Sequence, residues 1–88
     1  MKFLGTEIQV RAKRVSVENG WVCVSLEDDR EIRFPAAKSR RLRNAPPAKL
    51  CNVELICGGT GLHWPDLDED LSVEGIIEGR FGPAESER

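Results

Sequence analysis

From Ile8 onward apolar side chains fall at alternate positions, Ile8, Val10 and Ala12, then the pattern slips by one across Lys13–Arg14 and resumes at Val15 and Val17. A period of two marks an extended strand and a single slip marks a bulge, so a bulged strand is expected near residues 8–17. Glu18-Asn19-Gly20 then turns the chain into a second run near 21–26. That run sets Val22, Val24 and Leu26 on one face and Trp21, Cys23 and Ser25 on the other, and it is rich in β-branched and aromatic residues. The acidic stretch Glu27–Arg30 is a tight hairpin loop before a third strand near 31–34, with Ile32 and Phe34 pointing inward. Short connections of this kind join neighbours, which makes the three strands an antiparallel meander.

Pro35 suits the first position of a helix, where its missing N–H costs nothing, and the residues after it are good helix formers until Pro46 and Pro47. A helix over about 36–43 follows. A fourth strand is expected near 50–57, with Cys51, Val53, Leu55 and Cys57 on one side, and its apolar content suits a central position in the sheet. After the glycine-rich turn 58–61, Leu62 and Trp64 alternate with His63 as a brief return strand over 62–64, stopped by Pro65. Ser72 can cap a second helix near 73–78, Leu71 and Ile76 are spaced for a hydrophobic staple, and Gly79 suits its end. The pattern predicts an α+β fold, a small antiparallel sheet with two short helices, in a single domain over 1–80. The polar residues of 81–88 are expected to form a mobile tail.

Eighty-eight residues support one small core. No apolar run approaches the roughly 18–20 residues of a bilayer span, and the first apolar stretch stops at Gly5-Thr6, too short for a secretory signal. Three cysteines, Cys23, Cys51 and Cys57, sit among apolar neighbours without a C-x-x-C pair, a pattern of reduced, buried thiols in a cytoplasmic protein. The net charge of −2 conceals a split: residues 1–50 hold eleven Lys/Arg against six Asp/Glu, and residues 51–88 hold two against nine. A basic and an acidic contact face follow if the fold keeps the halves apart.

The densest chemistry lies in 61–70, GLHWPDLDED, with the one histidine of the chain. Asp66, Asp68 and Asp70 start like a calcium loop, but the sixth position, which needs glycine, is Leu71 and the twelfth, which needs glutamate, is Ile77. One histidine is too few for a zinc set. The carboxylates also stand just ahead of an expected helix start, where negative charge is favoured. His63 is expected to point outward or to satisfy one hydrogen bond locally and Trp64 to plug the core, and no catalytic, metal or cofactor residue is assigned. The Trp64–Pro65 bond is left open between cis and trans. Two basic segments, Arg11, Lys13 and Arg14, then Lys38, Arg40, Arg41 and Arg43, raise nucleic-acid binding. On a helix, Arg40, Arg41 and Arg43 would lie about 200°, 300° and 140° from Lys38, surrounding the axis without forming a stripe. Only weak phosphate contacts are expected of them.

The segments VSLEDDREIRFPAAKSRRLRNAPP and GLHWPDLDEDLSVEGIIEG, above all LHWPDLDEDLSVEGII, together resemble a small bacterial domain-of-unknown-function family numbered 2442, over about Val24 to Gly79. The resemblance implies an α+β fold and no established enzymatic activity. Some relatives carry a helix–turn–helix region after this domain, for which the nine residues after Gly79 leave no room; others are encoded beside a small toxin-like partner. The function expected is therefore a non-enzymatic interaction module, antitoxin-like or regulatory, meeting a partner protein through Asp66, Asp68, Glu69 and Asp70. A nucleic-acid accessory role through the basic segments is the alternative, and an exposed strand edge would allow a homodimer.

Overall fold

The computed structural model describes residues 10–81. Strands β1 (Ala12–Glu18), β2 (Trp21–Leu26) and β3 (Glu31–Pro35) form one antiparallel sheet in the order β1-β2-β3. The bulge falls where the alternation slips: Ala12 faces Leu26 while Arg14 faces Ser25, leaving Lys13 as the extra residue. Ile8 and Gln9, assigned to this strand from the sequence, lie outside the described residues. Asn19 and Gly20 close the first hairpin with φ of 51° and 82°, the two left-handed residues that a tight hairpin with the natural strand twist requires. In the second hairpin Asp28 accepts the backbone N–H of Arg30 at 3.1 Å, which holds its carboxyl below the usual carboxylate range.

The expected helix over 36–43 does not form. Ala36–Lys38 makes one 3₁₀ turn, after which separate turns run Ser39 N–H to Ala36 O, Leu42 N–H to Ser39 O and Ala45 N–H to Leu42 O. Ser39 is the cause. It is extended (φ −100°, ψ 129°) and fully buried, directing its hydroxyl into the core where a helical residue between Lys38 and Arg40 would face solvent.

The long fourth strand is also corrected. Pro47 starts a helical turn, α1 (Pro47–Leu50), so the chain becomes extended only at β4 (Glu54–Ile56). Strand β4 lies at the edge of a second antiparallel sheet, β4-β5-β6, whose centre is β5 (Gly61–Trp64). Of the four residues expected on one side, Val53 and Leu55 pack against the core, whereas Cys51 and Cys57, which flank the shortened strand, are exposed; Cys23, also expected to be buried, is half-buried. The last strand, β6 (Glu69–Ser72), has no mark in the sequence, where the acidic stretch has the composition of a loop. Helix α2 (Val73–Ile77) follows as expected, with the Ser72 hydroxyl accepting Gly75 N–H at 2.8 Å and Gly79 ending it at φ 87°.

The two sheets share one core. Ala12, Val22, Val24, Leu26 and Phe34 come from the first, Leu62, Trp64 and Leu71 from the second, and Ala36, Leu42, Leu50, Val73 and Ile76 complete it. The sheets meet where the turn Cys57–Gly59 rests on the start of β1. A Cβ on Gly59 would lie 2.5 Å from Ala12 O, and Arg11 Nη1 donates to Gly58 O at 3.1 Å. Phe81, assigned from the sequence to the tail, stacks on Phe34 with ring centroids 4.9 Å apart. The remainder of that tail, 82–88, lies outside the described residues. Among the described residues every peptide bond is trans, Trp64–Pro65 included, and no helix is long and apolar enough to cross a membrane.

Candidate functional site

The segment 61–70 is a hairpin, β5 and β6 joined across a four-residue turn, and the period of two sorts its chemistry onto two sides. Leu62, Trp64, Glu69 and Leu71 face the core, while His63 and Asp70 face outward. Trp64 is wholly inaccessible, and its indole N–H donates to Leu50 O at 2.9 Å, anchoring α1 to the second sheet. Glu69, cross-strand partner of Trp64, is only 3% exposed. A carboxylate taken out of water is costly unless hydrogen-bonded and paired. Ser39 Oγ donates to its Oε2 at 2.9 Å and Arg41 Nε stands 4.0 Å from Oε1. The extended Ser39 and the buried Glu69 thus explain each other.

The three aspartates reach the surface and are each held by a different partner. Asn52 Nδ2 donates to Asp66 Oδ2 at 2.9 Å. Arg41 Nη1 donates to the backbone O of Asp68 at 3.0 Å and lies 3.7 Å from its Oδ2, while the Asp68 side chain stays 97% exposed. The Asp70 carboxylate is hydrogen-bonded to Nδ1 of His63. That bond raises the His63 pKa above its ordinary value of 6.5; partial burial opposes the shift, and the charges of Asp70, Glu54 and Asp68 reinforce it. Glu54 and Asp70 are the two cross-strand neighbours of His63, so the imidazole sits mid-row between carboxylates on β4 and β6. With Asp66, Asp68 and Asp70 directed to an amide, a guanidinium and an imidazole, the carboxylates do not converge on a common centre.

Of the four acidic residues expected to meet a partner, Asp66, Asp68 and Asp70 share one exposed turn and strand, and Glu69 belongs to the core. The condition for two separate charged faces is broken at Arg41. Arg41, from the basic segment, sits against the acidic hairpin because Glu69 and Asp68 attract it. The other basic residues scatter: Lys13 pairs with Asp29 at 2.8 Å, Arg11 braces the turn at Gly58, and Arg43 Nε donates to Ala37 O at 3.0 Å. Arg14, Lys38 and Arg40 are exposed. Ser39 and Asn52, which organise the hairpin from outside it, were missed by sequence reasoning; a serine inside a basic run and an asparagine in a loop carry no mark of that role.

Two three-stranded antiparallel sheets around one core, with a polar hairpin clamped by side chains from the preceding loops, define a small α+β domain. The chain belongs to the family described as Protein of unknown function (DUF2442), whose model matches residues 12–82. It is similar to a protein of unknown function from Rhodospirillum rubrum, known from a crystal structure, with 36% identity and a TM-score of 0.81 over 86% of this chain and 94% of that one. An uncharacterised protein from Chromobacterium violaceum, solved by NMR, matches at 30% identity and a TM-score of 0.74 over 85% of this chain and 71% of that one. No protein of curated function matches the chain.

Proposed function

We propose that this domain is a non-enzymatic protein-interaction module, antitoxin-like or regulatory, working in the cytoplasm and presenting Asp66, Asp68 and Asp70 to a basic partner protein. The observation that carries the reading is the clamped hairpin. Asn52 and His63 hold the carboxylates of Asp66 and Asp70, and between them Arg41 fixes the backbone of Asp68 while its side chain stays open to solvent. Side chains already ordered lose less entropy on binding, and a fixed array of like charge speeds encounter with an oppositely charged surface. The small toxin-like partner implied by the family resemblance fits this chemistry if its contact face is basic.

The test is quantitative capture of partners from the source cell on the immobilised chain, beside a variant carrying Asp66→Asn, Asp68→Asn and Asp70→Asn. A stoichiometric basic protein retained by the parent at low salt and lost by the variant supports the reading. Equal retention by both, or no stoichiometric partner in repeated trials, overturns it. The competing reading is nucleic-acid binding through Arg14, Lys38 and Arg40, which have no acidic partner among the described residues; a gel shift that weakens steeply with salt would favour it.

A further inference from the structure

We infer that the chain pairs with a second copy of itself, the tip of each β1–β2 hairpin seating in an apolar groove of the other copy. The groove encloses about 530 Å³, and Val17, Ala36, Leu42, Ala45, Pro47 and Leu50 supply its apolar walls. Alanines stand where larger side chains would close it, leaving Leu42 and Leu50 of the core as part of the lining. Arg43 also lines the groove. Its Nε is spent on Ala37 O, and it has no carboxylate partner among the described residues, so its terminal nitrogens remain to grip one.

The hairpin carries the complementary chemistry. Trp21 is 43% exposed, in contrast to Trp64, and its cross-strand partner is Glu18, also exposed and without a cationic partner among the described residues. An indole beside a carboxylate meets an apolar groove beside a guanidinium. Tryptophan and arginine are also the residue types that dominate binding at protein interfaces.

The position of the groove selects a second copy as the occupant. Asn19 and Gly20, which connect Glu18 to Trp21, line the groove, and Gly20 O accepts Ala36 N–H at 2.8 Å. Trp21 cannot fill the groove of its own chain, because strand alternation puts it on the side of the first sheet opposite Val22 and Val24. Plug and socket therefore adjoin on one molecule but do not meet within it. A two-fold axis beside the hairpin carries each plug into the other socket and closes the pair with both grooves filled. This surface uses none of Asp66, Asp68 or Asp70, so it and the acidic-hairpin proposal fail separately.

Sedimentation equilibrium on the full chain, with tryptophan emission followed on dilution, tests the pairing. Trp64 is buried in either state, so a red shift on dilution reports Trp21. Trp21→Ala should weaken the dimer at least about thirtyfold, the loss that defines an interface hot spot. Ala37→Leu, which fills the socket without touching the plug, should weaken it similarly. Glu18→Arg and Arg43→Glu should each weaken pairing, and the two combined should restore it; these exposed substitutions decide the matter if Trp21→Ala does not fold. A chain that is monomeric up to roughly 1 mM, a dimer indifferent to plug and socket variants, or charge reversals without mutual rescue would each overturn the inference.

Discussion

Replacing Trp64 with phenylalanine asks whether the tryptophan of the hairpin belongs to the scaffold or to a binding surface. The site is inaccessible, and the substitution removes the N–H that Leu50 O accepts at 2.9 Å. Leaving that buried carbonyl without its donor costs about 1–3 kcal/mol. The smaller ring also leaves a cavity of roughly 40 Å³, which at about 24 cal/mol per Å³ adds about 1 kcal/mol. The total is about 2–4 kcal/mol, a large share of the 4–13 kcal/mol or so available to a domain of this length. The matching fall in Tm is about 10–30 °C. Trp21→Phe is the control, measured at low protein concentration, and should stay within about 0.5 kcal/mol because the residue is 43% exposed and the change takes no donor from a buried acceptor. Urea unfolding followed by far-ultraviolet circular dichroism reads both, with unchanged m-values as the sign that only stability has moved. A loss below about 1 kcal/mol for Trp64→Phe, or one equal to that of Trp21→Phe, would refute the argument that Trp64 joins α1 to the second sheet.

Ser39→Ala removes the one hydrogen bond that the described residues give the buried Glu69 carboxylate and should cost about 1.5–3 kcal/mol in the same unfolding assay, despite its place between two exposed cationic residues. Gly20 and Gly59 share a positive φ, but only Gly59 has no space for a side chain. Gly20→Ala should therefore cost about 1 kcal/mol and Gly59→Ala several times more, since its Cβ would press on Ala12 O at the junction of the sheets; equal losses in urea unfolding would contradict this. The His63 pKa is raised in the folded state, so its contribution to stability is fully present below the unfolded value of 6.5 and is lost as the pH rises through the folded value. Asp70→Asn removes the principal cause of the shift, and NMR titration of the imidazole should find its pKa lowered and the pH dependence reduced.

Local pattern carried the first sheet well. The slip at Lys13–Arg14 is the bulge, Asn19-Gly20 is the hairpin turn, and the alternation from Trp21 to Leu26 separates the two faces as read. It carried α2 and its Ser72 cap for the same reason, because both depend on residues within one turn of each other. The failures involve partners distant in sequence. Ser39 is 30 residues from Glu69, and nothing near either shows that the pair will be buried together, so the helix over 36–43 was expected and β6 was not. In β6 the inward position nearest the turn is a glutamate, which leaves Leu71 as its one apolar residue and hides the alternation. The run from Leu50 to Cys57 is shorter as a strand than its pattern suggests because Pro46-Pro47 favours a helical turn, which leaves Cys51 exposed while Val53 and Leu55 still pack on the core. Of the candidate site, the three surface aspartates were legible; their fixing by Asn52, Arg41 and His63 depends on tertiary packing.

The β5–β6 hairpin divides into an inner side that holds the fold and an outer side, open to solvent, that we propose meets the partner. Partner capture by the parent and by the triple Asp66→Asn, Asp68→Asn, Asp70→Asn variant, alongside their unfolding curves, tests it most directly. A basic partner should be bound by the parent and lost by the variant, with Tm changed by only a few degrees. Undiminished capture by a folded variant, or collapse of the fold on neutralising those three aspartates, would contradict it.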